Sequence, residues 1–168
     1  EKWRELQQLG EFGLEAKETS VDFTRITDRK GQVVAQLRQG IRQLLKSYSV
    51  DIFNGCGEVQ EDRSIRVVSP ERESVVHANN LIIATGSAPV KPPIAGMELP
   101  GVVTSDEALS WTTVPKRLMV MGGGAVGIEL AVLYRSFGSE VTVVEMQPSI
   151  LPAIDLDLVK RISLVLRR

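Results

Sequence analysis

The sequence predicts an α/β fold, with helices packed on short strands and a three-stranded antiparallel β meander set into the chain. Three observations carry this expectation. Val34, Leu37, Ile41, Leu44 and Leu45 recur along one helical stripe. From Val50 to Ala84 the apolar period changes to two, in short runs parted by polar or Gly-containing turns. Finally, the apolar strand Leu118-Met119-Val120-Met121 runs straight into Gly122-Gly123-Gly124-Ala125-Val126-Gly127, a helical stretch and a second strand, Val141 to Val144.

Taken in order, Glu1 to Lys17 is polar with helical character, interrupted by Gly10 and Gly13, and Ser20 to Lys30 is short and mixed. The amphipathic helix follows. Gly40 within it costs about 1 kcal/mol relative to Ala, so either the backbone packs closely there or the helix is weakened. The runs Val50–Phe53, Gly57–Gln60, Ile65–Ser69 and Ser74–Ala78 read as short antiparallel strands. Leu81-Ile82-Ile83-Ala84 is apolar throughout and predicts a buried parallel strand covered on both faces. Residues 88–101 hold Pro89, Pro92, Pro93 and Pro100, half of the 8 prolines, and predict an extended connector. Ser105 reads as the N-cap of a short helix with Asp106 and Glu107 in its first turn. Gly138 closes the helix running from Ile128 to Phe137. A last helical pattern starts at Ile154 and carries Leu158, Val159, Ile162, Val165 and Leu166, with Arg167 and Arg168 late. The chain opens without Met and closes inside that pattern, which predicts a fragment.

Composition narrows the function. The 168 residues are 43% hydrophobic and 24% charged, a globular balance. Lys and Arg total 20 against 21 for Asp and Glu, so the basic surplus of a nucleic-acid binder is missing. No apolar run approaches the roughly 18 residues of a membrane span, and no export leader is visible. A cytoplasmic protein is expected, without nucleic-acid or membrane partners. The single cysteine, Cys56, allows no internal disulfide, and no Cys/His spacing suits a metal. His77 is the only histidine and lies in an alternating stretch, as a solvent-facing strand residue would. The chain offers no catalytic residue of its own. Its chemistry must come from something it binds.

The glycine unit says what that is. A lone GxGxxG is weak; here it sits between strand and helix, with Glu145 ending the next strand eighteen residues past Gly127. Gly122 permits the tight turn, Gly124 admits a pyrophosphate to the backbone, and Gly127 lets helix and strand pack closely. Gly123, Ala125, Val126 and Ile128 complete the turn and the helix start, where free N–H groups and the helix dipole favour an anion. Glu145 can accept hydrogen bonds from both ribose hydroxyls. A 2′-phosphate would meet like charge there, and Met146, Gln147, Pro148 and Ser149 offer no cation to offset it. NAD(H) is therefore favoured over NADP(H). Glycines that merely turn the chain are the bland alternative. Glu129, placed in the first helical turn, reads equally as a dipole-favouring surface residue and as a ligand contact.

The run Leu81-Ile82-Ile83-Ala84-Thr85-Gly86-Ser87-Ala88-Pro89, the proline-rich connector and the later glycine unit ending in Val-Glu-Met resemble the flavin-dependent pyridine nucleotide-disulfide oxidoreductases, and within them the lipoamide branch. The resemblance spans nearly the whole chain and is strongest from Leu81 to Pro152. It implies partial FAD/NAD(P)-binding Rossmann-like domains: residues 1–103 as the second part of an FAD-binding domain, and residues 104–168 as the opening of an NAD-binding domain. It implies FAD contacts at Thr85, Gly86, Ser87 and Gly57, and a place for Glu129 near nicotinamide and flavin. Ala125 stands where glutathione-reductase-like relatives carry an aromatic gate, and Gly127 where NADP-dependent relatives often carry Ala. The activity implied is that of a dihydrolipoyl dehydrogenase acting on a dihydrolipoyl group, as a homodimer able to join a 2-oxo-acid dehydrogenase complex. Alternatives are an NADH oxidase, a mercuric-reductase-like enzyme, a transhydrogenase, or a nucleotide-binding remnant without catalysis. The departures are plain. The family's C-x4-C disulfide, first GxGxxG, later Gly-Asp motif and C-terminal His-Glu pair are absent from these residues, and Cys56 reads as an inert small residue beside a turn.

Overall fold

The computed structural model describes residues 2–166. They fall into two compact units, Glu1–Lys30 with Pro89–Arg168, and Gly31–Ala88.

The first unit begins with α1 (Lys2–Gln7), followed by a 3-10 turn over Leu9–Phe12 that Gly13 ends in a left-handed conformation. The long helix α2 (Phe23–Ser47) starts here and continues into the second unit. It takes in residues 23–30, which the sequence left as mixed, because the Asp22 carboxylate accepts the Arg25 N–H at 3.0 Å and so caps the helix earlier. Next come α3 (Ser105–Ala108), β4 (Arg117–Met121), α4 (Ala125–Ser136), β5 (Glu140–Val144) and α5 (Leu156–Leu166). The N-cap of α3 is Thr104, not Ser105: Thr104 and Glu107 form a reciprocal capping box, with the Thr104 N–H donating to Glu107 at 2.6 Å. α4 begins at Ala125, three residues earlier than expected. α5 begins at Leu156, its entry fixed by the Asp155 carboxylate accepting the Asp157 N–H at 3.0 Å. The expected cationic end at Arg167 and Arg168 lies outside the described residues.

β4 and β5 pair in parallel, with Arg117 opposite Glu140 and Met121 opposite Val144. Their alternation puts Leu118, Val120, Val141 and Val143 on the more buried face, while Met119, Met121 and Val144 stay exposed on the other. The core joins Ile128, Leu151 and Val159, with Val132, Val143, Ile150 and Ile162 packed against it. A second cluster is aromatic. Tyr134, only 1% exposed, meets Trp111 edge-on at 5.3 Å, and Phe23 meets Phe137 edge-on at 5.2 Å. The Tyr134 hydroxyl donates to the Ala108 carbonyl at 2.6 Å, which ties α4 to α3. Burial raises the Tyr134 pKa, since a phenolate there would lose its hydration. The start of α2 is held by Thr27 Oγ1 donating to the Trp111 carbonyl at 2.9 Å and Lys30 Nζ to the Leu109 carbonyl at 2.6 Å.

Besides the greater part of α2, the second unit holds the meander: β1 (Cys56–Val59), β2 (Ile65–Val68) and β3 (Glu73–Val76), each antiparallel to the next. Its first turn is shaped by Asp62, whose carboxylate accepts both the N–H and hydroxyl of Ser64 at 2.9 and 2.6 Å. Those bonds hold its pKa below the ordinary value. Arg66 bridges Glu58 and Glu73 across all three strands at an exposed site, where such pairs contribute about 0–1 kcal/mol.

Two expectations need correction in this unit. Val50–Phe53 forms no strand. Leu81–Ala84 is not a buried parallel strand but exposed coil, with Ile82 87% and Ile83 74% exposed. A doubly covered strand needs neighbours on both edges and layers on both faces, and no strand among the described residues lies beside it. Of the two readings of Gly40, the structure agrees with the weakened helix: nothing lies within 4 Å of where its Cβ would be. The helix simply carries the weaker residue.

The aromatic cluster yields a test. Tyr134→Phe removes one buried hydrogen bond and is expected to lower stability by about 1 kcal/mol. Tyr134→Ala leaves a cavity and is expected to cost about 3–5 kcal/mol. Urea unfolding followed by fluorescence would measure both, and equal losses would show that the hydroxyl, not the ring, dominates.

Candidate functional site

The parallel pair delivers β4 into the glycine turn, and the ladder continues one step beyond the strands, with the Gly122 N–H donating to the Val144 carbonyl at 2.8 Å. The chain must then reverse sharply toward α4. Gly122 does this at φ +106°, which side chains other than glycine resist. Gly124 is the N-cap of α4, and no side chain caps the helix, so its first N–H groups lack an internal acceptor. Nothing lies within 4 Å of where a Gly124 Cβ would stand. Gly127 is the reverse case: a Cβ there would run into the Gly122 carbonyl and lie 3.3 Å from Val120 Cγ1. Helix and strand touch through that missing methyl.

Glu145 stands at the tip of β5. Its Oε2 accepts the Gly123 N–H at 2.6 Å and its Oε1 the Gln147 N–H at 2.8 Å. The Gln147 bond first, then that from Gly123, hold its pKa below the ordinary 4.5. It is therefore a fixed anion at neutral pH. Gly123 itself is buried: a Cβ would lie 3.0 Å from Ile150 Cγ2 and 3.2 Å from the Glu145 carboxylate.

The structure thus brings together Gly122, Gly123, Gly124, Ala125, Val126, Gly127 and Glu145 around an open helix end. Ala125 and Val126 are exposed there. Ile128 turns away, its side chain in the core and its N–H donated to the Gly124 carbonyl at 3.0 Å. Glu129 is exposed and is the fifth residue of α4, so it falls just past the first turn where the sequence placed it. Gly57 lies in β1, while Thr85, Gly86 and Ser87 lie in exposed coil. By themselves these four form no cradle among the described residues. A cleft of about 450 Å³ lies elsewhere in the first unit, lined by Trp3, Leu6, Ile26 and Phe137 among others. The glycine turn itself forms an open ledge at the uncapped start of α4.

The residues missed in the sequence are Ile150 and Leu151. Leu151 is buried at φ +51° and its N–H donates to the Gly123 carbonyl at 2.7 Å. For a leucine this conformation costs about 1–2 kcal/mol. The available signal was Pro152, which bars the preceding residue from ordinary helical geometry.

A helix start with free N–H groups, a glycine bend and a carboxylate at the neighbouring strand tip are the parts from which βαβ units of the dinucleotide-binding class are built. Comparison with known proteins makes this specific. The sequence profile described as Pyridine nucleotide-disulphide oxidoreductase matches residues 6–168, and the chain belongs to that family. It is 41% identical over 153 residues to a dihydrolipoyl dehydrogenase of Acholeplasma laidlawii, covering 88% of this chain and 44% of the relative. It is 37% identical over 169 residues to a dihydrolipoyl dehydrogenase of Pseudomonas aeruginosa, covering 99% of this chain and 36% of the relative. The solved structure of the HOCl-induced flavoprotein disulfide reductase RclA from Escherichia coli, as a Cu(II) complex, superposes with a TM-score of 0.79 at 33% identity, covering 98% of this chain and 35% of that one. The chain thus spans between a third and a half of the length of these proteins. The dihydrolipoyl dehydrogenase relatives within this family use FAD and NAD.

Two tests follow from the geometry. Gly127→Ala gains about 1 kcal/mol in helix propensity, but forcing α4 off β4 costs about 1–3 kcal/mol. A net loss of stability is expected in chemical unfolding. A net gain would mean that helix and strand are not in contact there. The second test is pH. The Glu145 pKa is lower in the folded state, so its tether is present above the ordinary carboxylate range and is lost as pH falls through the lowered value. Amide shifts of Gly123 and Gln147 are expected to titrate together below pH 4.5, and to stop doing so in Glu145→Gln.

Proposed function

We propose that the ledge formed by Gly122–Gly127, the start of α4 and Glu145 holds the adenosine diphosphate half of NAD(H), in a flavoprotein oxidoreductase whose activity is dihydrolipoyl dehydrogenation. The observation that carries this reading is the pairing of an uncapped helix start with a fixed carboxylate anchored to the same glycine turn. The helix start attracts the pyrophosphate. Glu145 keeps lone pairs free for ribose hydroxyls while its N–H partners hold it in place, and its charge disfavours a 2′-phosphate.

When bound, NAD+ supplies a hydride acceptor. This chain's part is to bind and orient it. Gly124 and the first residues of α4 bring backbone donors to the phosphates, Gly123 ties the turn to Glu145, and Gly127 keeps α4 seated on β4 so that those donors do not drift. Ala125, small and exposed at the first position of α4, leaves the approach open, and Glu129 is assigned to the same side of the site. We assign Gly57, Thr85, Gly86 and Ser87 as the contacts this stretch contributes to FAD. Residues 1–103 then belong to the FAD-binding domain and residues 104–168 to the NAD-binding domain. The relatives' names support a dihydrolipoyl group as substrate, and we extend the reading to a cytoplasmic homodimer that serves a 2-oxo-acid dehydrogenase complex.

The comparable identity to RclA favours a second reading, a flavoprotein disulfide reductase acting on a different substrate. Formation of NADH from dihydrolipoamide by the full-length protein separates the two. The nucleotide site is tested by NADH titration. Glu145→Arg is expected to weaken NADH binding roughly ten-fold or more, the scale of one lost charged hydrogen bond, and to narrow the preference over NADPH. Unchanged NADH affinity would remove Glu145 from the site.

A further inference from the structure

Gly123 is pinned from both sides by the segment that follows β5. Its N–H donates to Glu145 at 2.6 Å, and its carbonyl accepts the Leu151 N–H at 2.7 Å. The second bond acts on the peptide that links Gly123 to Gly124. That peptide is trans, so its N–H, which belongs to Gly124, points opposite to the held carbonyl. Among the described residues the Gly124 N–H has no acceptor. Leu151 therefore sets the direction of an unpaired donor at the mouth of the ledge.

Leu151 meets two demands at once. Its side chain is 8% exposed and packs with Ile128 and Val159, while its N–H reaches Gly123. Satisfying both holds it at φ +51°, a conformation leucine rarely adopts, just before Pro152. A residue with only a packing role has no reason to keep that backbone.

We propose that Leu151 is a positioning residue of the nucleotide site, aiming the Gly124 N–H at the pyrophosphate by holding the Gly123 carbonyl while its side chain is anchored in the core. This rests on the reading of the ledge as a dinucleotide site. It assigns part of the affinity to a residue that never touches the ligand.

The direct test replaces the amide at position 151 with an ester, by incorporating the α-hydroxy analogue of leucine into the full-length protein. This deletes the N–H and keeps the side chain. ADP-ribose, which carries the pyrophosphate, is titrated by calorimetry, with thermal unfolding measured alongside. The folded ester variant is expected to bind ADP-ribose about ten-fold more weakly, the scale of one misdirected hydrogen bond to a charged group. Unchanged affinity in the folded variant overturns the proposal.

Leu151→Gly, which frees the backbone from its core anchor, is compared with Val159→Ala, which thins the same core without a bond to Gly123. A loss of affinity confined to Leu151→Gly supports positioning. An equal loss in both variants marks general loosening and overturns it. If the unaltered protein fails to bind ADP-ribose, the dinucleotide reading itself falls.

Discussion

The missing methyl at Gly127 is the constraint on which the site rests. It lets α4 lie against the Gly122 carbonyl, and this contact puts the start of the helix directly over the end of β4. Were the helix lifted by even one carbon, the turn would lengthen and its N–H groups would no longer converge. Everything else at the ledge is an adjustment made on that platform. Glu145 fastens the turn to the tip of β5, and the loop through Ile150 and Leu151 fastens it from the other side.

The two tethers differ in kind. The Glu145 carboxylate is partly solvated and its hold depends on charge, so it responds to pH and to ligand hydroxyls competing for the same oxygens. The Leu151 tether runs between backbone groups and is secured by apolar burial, so neither charge nor salt disturbs it. A site that must exchange its ligand gains from this division. In the proposed site, one restraint would adapt to the ribose while the other would keep the phosphate donors still.

Much of this was legible in the sequence, because local chemistry decides it. The strand–glycine–helix order, the closure at Gly138, the three strands of the meander and the acid at Glu145 all follow from period, glycine position and spacing. What escaped notice depends on distant partners. Leu81–Ala84 has the composition of a covered strand, but composition cannot supply the strands on either side of it. Asp22 and Thr104 won their caps through hydrogen bonds that compete closely with neighbouring candidates. Leu151 looked like any apolar residue between two prolines. Only the fold shows that its amide is spent on Gly123.

The bare run at Leu81–Ala84 has a consequence for handling the chain by itself. It is uncharged, apolar and exposed, and its backbone groups make no hydrogen bonds among the described residues. Such a segment is a template for intermolecular β-ladders. It contains neither a charge nor a proline to interrupt such a ladder, and the proline-rich stretch that could act as a gatekeeper begins only at Pro89. The run lies outside the glycine turn and Glu145, so a charge introduced there would interrupt such a ladder while leaving the ledge untouched.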